Sequence, residues 1–291
     1  MDQLVATIVA GVVIGALYAL IGVGAGSLYR STGLINLALG ELVMVGSLVC
    51  YTLSADWGWP LLVAGPTAVV IAALINVVID VGLIRRMRTP NPLRVAVMTF
   101  GVALVLRGLA RIKWGTNLYS LPTFPGVNVT YRFIFDRVVV PGQVLYLFGG
   151  LLIVCSALYL FETRTRVGWM MHAVGVDSPM ARTLGIPAGA MVALSFAISG
   201  GIAGLAGVLT SPMVFMTATG ATLLGLKGLV AAILGGFDVR RGAVAGGLLL
   251  GVVESLAGRY VGAGVQDAAV FLLLILVLLF RPQGLLARRT A

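Results

Sequence analysis

The amino-acid sequence predicts an all-α polytopic membrane protein with eight or nine transmembrane helices, some short or broken, packed through glycine. Three observations carry that class. Of the 291 residues, 59% are hydrophobic and only 10% charged, where soluble domains carry about 25% charge. The apolar runs are long and unbroken, whereas a membrane barrel needs short strands of alternating polarity. Thirty-nine glycines suit helices that approach one another backbone to backbone.

In chain order the apolar runs cover 4–23, 34–53, 61–83, 95–109, 144–161, 190–209, 223–234, 243–256 and 268–280. A full span needs about 20 residues. The runs at 95–109, 223–234 and 268–280 fall short, so they extend into their flanks or form broken, re-entrant helices. Broken helices survive where their freed backbone groups face protein or a watery path, which suits a transporter better than an anchor. The N-terminus "MDQLVATIVAG" lacks a basic leader region and reads as a retained first span. Residues 1–291 form one transmembrane domain.

Charge sets the expected orientation. The segments 84–94, 162–187, 237–242 and 281–289 are basic and read as cytoplasmic. "SADWGWP" (54–60) is acidic with two tryptophans and suits the outer interface. Nine crossings then leave the N-terminus outside and the C-terminus inside. Thirteen of the 20 basic residues fall inside, six outside, and Lys227 within a span. The net charge of +10 is therefore topological and does not point to nucleic acid. Five of the six outer charges lie within 107–141, where an extracytoplasmic loop is expected at about 110–141. Its core "VNVTYRFIFDRVVV" alternates like a surface strand or hairpin.

Five Gly-xxx-Gly motifs, at 11–15, 22–26, 200–204, 242–246 and 247–251, predict tight helix contacts within the bundle or across a dimer. Residues 4–49 and 188–236 echo each other: a glycine-rich helix, a polar loop, then a segment with one buried charge. Such internal symmetry is common among transporters. Cys50 and Cys155 lie in apolar runs without metal-like spacing, so neither a disulfide nor a metal site is expected. One histidine, His172, and the absence of hydrolase motifs argue against an enzyme. "GATLLGLKG" (220–228) resembles a phosphate loop, but its lysine is one place late and no Ser or Thr follows. ATP, if used, must bind another chain.

Polar residues inside apolar runs cost free energy and mark function about as often as structure. Asn36, Glu41, Lys227 and Glu254 are the candidate lining of a solute path. Asn76 and Asp80 share a helix face, and Asp80 is close enough to Arg85 and Arg86 to reach the interface.

The pieces "GLINLALGEL" (33–42), "LGIPAGAMVALSFAISGGIAGLAGVL" (184–209), "LKGLVAAILGGF" (226–237), "GAVAGGLLLGVVES" (242–255) and "FLLLILVLLFRPQGLL" (271–286) make the chain recognisable. It resembles the LivH-type permease subunits of bacterial branched-chain amino acid ABC transporters, over about residues 11–284. The resemblance implies a homologous second permease, two cytoplasmic ATP-binding subunits that hold ATP and magnesium, and an extracytoplasmic solute-binding protein. It implies a multi-pass protein of the bacterial inner membrane. It also places the short helix that docks on the ATPase within 162–187. There Asp177 and Ser178 can cap a turn carrying Met180, Arg182 and Leu184, which Gly185 and Pro187 end. The chain departs from the family at three places: Leu39 replaces a histidine, Trp169 and His172 replace arginines, and "GGFDVRRGA" replaces a proline turn.

The implied activity is ATP-driven uptake of branched-chain amino acids or related small polar solutes by alternating access. A zwitterion would meet Glu41 at its ammonium and Lys227 at its carboxylate. The alternative is an ion-coupled secondary transporter or channel, with Glu41 or Glu254 as the ion site.

Overall fold

The computed structural model describes residues 2–87, 91–124, 130–133, 138–218, 221–237 and 240–286. Readings that fall on the intervening segments, including parts of the basic loops and the tip of the 129–136 stretch, lie outside the described residues. Among the described residues, eight helices are long and apolar enough to cross a membrane, and a ninth apolar helix is shorter.

Helix α1 (Asp2–Thr32) is about 46 Å long at 1.5 Å per residue, longer than the ~30 Å hydrocarbon layer. Residues 33–38 then leave helical geometry, and Gly33 takes φ +68°, which a side chain would resist. Helix α2 (Leu39–Tyr51) continues through a π-helical turn, Thr52–Asp56. It is followed by α3 (Leu61–Gly82) and α4 (Pro92–Trp114). Strands β1 (Thr130–Phe133) and β2 (Val138–Pro141) form an antiparallel ribbon with Thr130 opposite Pro141. Helix α5 (Gln143–Arg164) leads into two short helices, α6 (Arg166–Val176) and α7 (Ser178–Thr183). Then come α8 (Ala188–Thr210), the short α9 (Ala221–Gly235), α10 (Arg240–Tyr260) and α11 (Gln266–Phe280).

The short apolar runs thus resolve in different ways. The run at 95–109 extends to a full span, α4, which continues to Trp114. Arg107 therefore belongs to a helix, where the sequence reading counts it among the outer charges. The 268–280 run gains a 3-10 turn, Ala263–Val265, ahead of α11. Only α9 stays short, at 15 residues or about 22 Å.

The basic segments gather at one end of the bundle. Arg30 at the end of α1 pairs with Glu162 at the end of α5 and reaches the Phe237 carbonyl. Arg85 donates to the Gly189 carbonyl at the start of α8. The amides of Leu285 and Leu286 donate to Leu234 and Gly235 at the end of α9. At the opposite end Trp114 donates to Thr52, and residues 119 and 216 form a two-way backbone bridge. Gln143 there donates to the Leu209 carbonyl.

Glycine makes the core dense. Gly11 and Gly15 of α1 face Gly251 and Gly247 of α10 so closely that an added Cβ would overlap backbone. Gly46 of α2 meets Gly204 of α8 in the same way, and Gly242 and Gly246 meet the end of α9. The Gly-xxx-Gly motifs therefore serve packing inside this chain. They surround a core of Leu17, Leu20, Ile21, Leu42, Ala203, Ala206 and Leu234.

Candidate functional site: two broken helices and their buried charges

The echo between residues 4–49 and 188–236 has a geometric meaning. Helix α1 runs to the basic end, the chain breaks, and α2 runs toward the opposite end. Helix α8 starts at the basic end, the chain breaks, and α9 runs back to it. The two short helices begin side by side: Gly40 lies against Ala221 and Gly225, and no side chain would fit between them. Such an inverted pair of broken helices is how many transporters build a site inside the membrane.

Asn36 holds the first break. Its Oδ1 accepts from the Ala38 amide at 2.9 Å, and its Nδ2 donates to Asn76 Oδ1 at 2.8 Å. Asn76 Nδ2 in turn donates to the Phe196 carbonyl at 2.7 Å, tying α3 to α8. The Leu37 amide donates to Thr99 of α4. The Leu37 and Ala38 amides of the break thus find side-chain partners, as the membrane interior demands. Asp80, fully buried, accepts from Arg85 at 3.0 Å.

Glu41 sits in the first turn of α2, only 1% exposed. Its Oε1 accepts from Arg107 of α4 at 2.9 Å and from Thr222 Oγ1 of α9 at 2.7 Å. Arg107 also donates to Thr222, closing a three-membered node. Two features stabilise the carboxylate: the guanidinium, and the partial positive charge of the α2 N-terminus. Arg107 is the candidate residue missing from the sequence-based set. The signal was present in spacing, because Thr99, Arg107 and Trp114 recur every seven or eight residues and all bond the α2 region.

Lys227 and Glu254 come together, and neither reaches Glu41's node. Lys227 Nζ lies 2.7 Å from Glu254 Oε1 and 2.6 Å from Asp267 Oδ1, and sits over the Tyr18 ring. This triad joins α9, α10 and α11. Two carboxylates around one ammonium leave it with a net charge of −1, so Lys227 is not free to receive a solute carboxylate. The helix α9 covers 221–235 throughout, so "ATLLGLKG" forms no phosphate loop.

At the basic end, α6 and α7 pack through Met171, Val174 and Ala181 onto Ala188 and Met191. Asp177 Oδ1 accepts from the Met180 amide at 2.9 Å and starts α7. Gly185, at φ +80°, ends it, with Gly185 N bonded to Arg182 O and Ile186 N to Ala181 O. Val176, Met180 and Leu184 stand exposed on this platform. Beside it a cavity of about 570 Å³ is lined by Ser27, Arg30, Glu162, Trp169 and His172. Leu39 is buried at the α2 start.

These features meet a match that runs nearly end to end. The family of branched-chain amino acid transport system permease components matches residues 7–280. The chain belongs to that family. It is 33% identical to the high-affinity branched-chain amino acid transport system permease protein BraD of Pseudomonas aeruginosa, over 97% of this chain and 95% of that one. It is 34% identical to LivH of Escherichia coli, over 96% and 94%. A probable LivH permease of Methanocaldococcus jannaschii is 26% identical over 92% and 88%. The chain is therefore a multi-pass permease component of a transport system.

Proposed function

We propose that this permease component carries branched-chain amino acids across the bacterial cytoplasmic membrane, driven by ATP that separate subunits hydrolyse. The observation that carries the reading is the near end-to-end match to permeases named for branched-chain amino acid transport. It supports this reading over an ion-coupled carrier.

The assembly follows from the same reading. A homologous permease completes the path, two ATP-binding subunits dock at the basic end, and a solute-binding protein delivers from the opposite side. ATP and magnesium belong to the docked subunits. The C-terminus and the α6–α7 platform lie in the cytoplasm, as the excess of arginine at that end supports. The platform has the character of a docking surface: a short helix capped at both ends, with Met180 on it and Val176 and Leu184 flanking it, all three exposed at the charged end.

Purification from the native membrane tests the assembly. An ATP-binding subunit should co-purify, and cysteines placed at Met180 or Leu184 should cross-link to it. Recovery of the chain alone, with no cross-link from either position, would sink the reading.

A further inference from the structure

We propose that the Glu41–Arg107–Thr222 node receives both charged ends of the solute: the ammonium at Glu41 Oε2, the carboxylate at the Arg107 guanidinium. The proposal rests on the amino-acid reading above and names the part of the path that recognises the zwitterion.

Four observations support it. First, the node is incomplete. Glu41 Oε1 takes both hydrogen bonds, while Glu41 Oε2 and Arg107 Nε are buried without a partner among the described residues. A buried acceptor and a buried donor left open within one node call for an explanation, and one zwitterion offers a partner to each. Second, the node stands where α2 begins, and the N-cap residue, Ala38, supplies no side-chain cap to the first turn. Its free amide ends add positive potential of the kind that carboxylates seek. Third, the Arg107 side chain is 24% exposed where that of Glu41 is 1%, so the Arg107 side chain is the approachable side of the node. Helix α4 is joined to the α2 region through the polar links from Thr99, Arg107 and Trp114, and such links can open and re-form. Fourth, Lys227 is already held by Glu254 and Asp267, which leaves Arg107 as the cation beside Glu41.

The net charge of the site is conserved. When the pair opens around a zwitterion, each protein charge exchanges one opposite partner for another. No net charge is added to the site, and the two new ion pairs offset the cost of desolvating the solute's charged ends. A solute with only one charged end would leave either Glu41 or Arg107 unmatched.

The test uses the complete transporter, reconstituted with its ATP-binding subunits, second permease and solute-binding protein. The double variant Glu41→Gln/Arg107→Gln removes both charges and leaves a polar amide at each position. It should assemble and hydrolyse ATP as the wild type does, while ATP-driven leucine uptake falls at least tenfold. Wild-type uptake by the double variant would overturn the proposal and leave the pair as a link between helices. Should the double variant fail to assemble, Arg107→Lys decides, because it retains the ion pair but not the guanidinium fork. Uptake lowered three- to tenfold supports the proposal, and unchanged uptake overturns it. Absence of leucine, isoleucine and valine uptake in the wild-type assembly would instead sink the underlying substrate reading, before any variant is compared.

Discussion

Removing Arg107 alone should harm the protein more than removing the whole ion pair. Arg107→Leu strands a carboxylate that is 1% exposed, and breaking a buried pair from one side typically costs about 3–5 kcal/mol. Thermal unfolding in detergent should show a clear drop in Tm for Arg107→Leu and a near-normal Tm for Glu41→Gln/Arg107→Gln. Equal melting of both would mean that the carboxylate finds another partner. The charge on Glu41 was legible in the sequence, but its partner was not. Arg107 lies 66 residues away, close to the end of an apolar run that composition alone terminates too early. Hydropathy averages discard a single arginine at a run's edge, whereas the helix continues past it because its other face is apolar. Lys227 shows the same limit from the other side. The sequence marked Lys227 and Glu254 but not Asp267, which looks like an ordinary acidic residue at a helix start.

At the scale of elements, the glycine contacts make a graded prediction. A Cβ at Gly207 would overlap the backbone of Val43, and one at Gly225 the backbone of Gly40. Gly207→Ala and Gly225→Ala should each destabilise by about 1–3 kcal/mol through overpacking, read as lowered Tm. Gly101, with open space around its Cβ position, is the control. Gly101→Ala should leave Tm unchanged or raise it, since alanine favours a helix by up to about 1 kcal/mol over glycine. The triad predicts a second effect. Helix α11 is the least buried of the spanning helices, and Asp267 and Glu254 around Lys227 form its polar tie to the core. Lys227→Met should raise hydrogen exchange over 266–280, while Asp267→Asn, at a position 52% exposed, should do less. Equal protection in both variants would show that apolar packing alone holds α11. The helices themselves were largely readable, because runs of about 20 apolar residues have one solution in lipid. The breaks were readable only as anomalies of length. Which residues mend them, Asn36 with Asn76 and Leu37 with Thr99, depends on helices that meet only in three dimensions.

For the molecule as a whole, two helix-break-helix units of opposite sense enclose a charged node, and a capped helical platform stands at the basic end. The faint echo between 4–49 and 188–236 was visible as composition, and the fold turns it into the meeting of α2 and α9 at Gly40 and Gly225. On the proposed function the permease does not work alone, because the driving reaction would be supplied by subunits docked at the platform. ATP-driven uptake of labelled leucine into proteoliposomes measures that claim most directly. The account predicts uptake only when the ATP-binding subunits, the second permease and the solute-binding protein are present with ATP, and its loss with vanadate. Uptake by this chain alone, driven by an ion gradient without ATP, would contradict it.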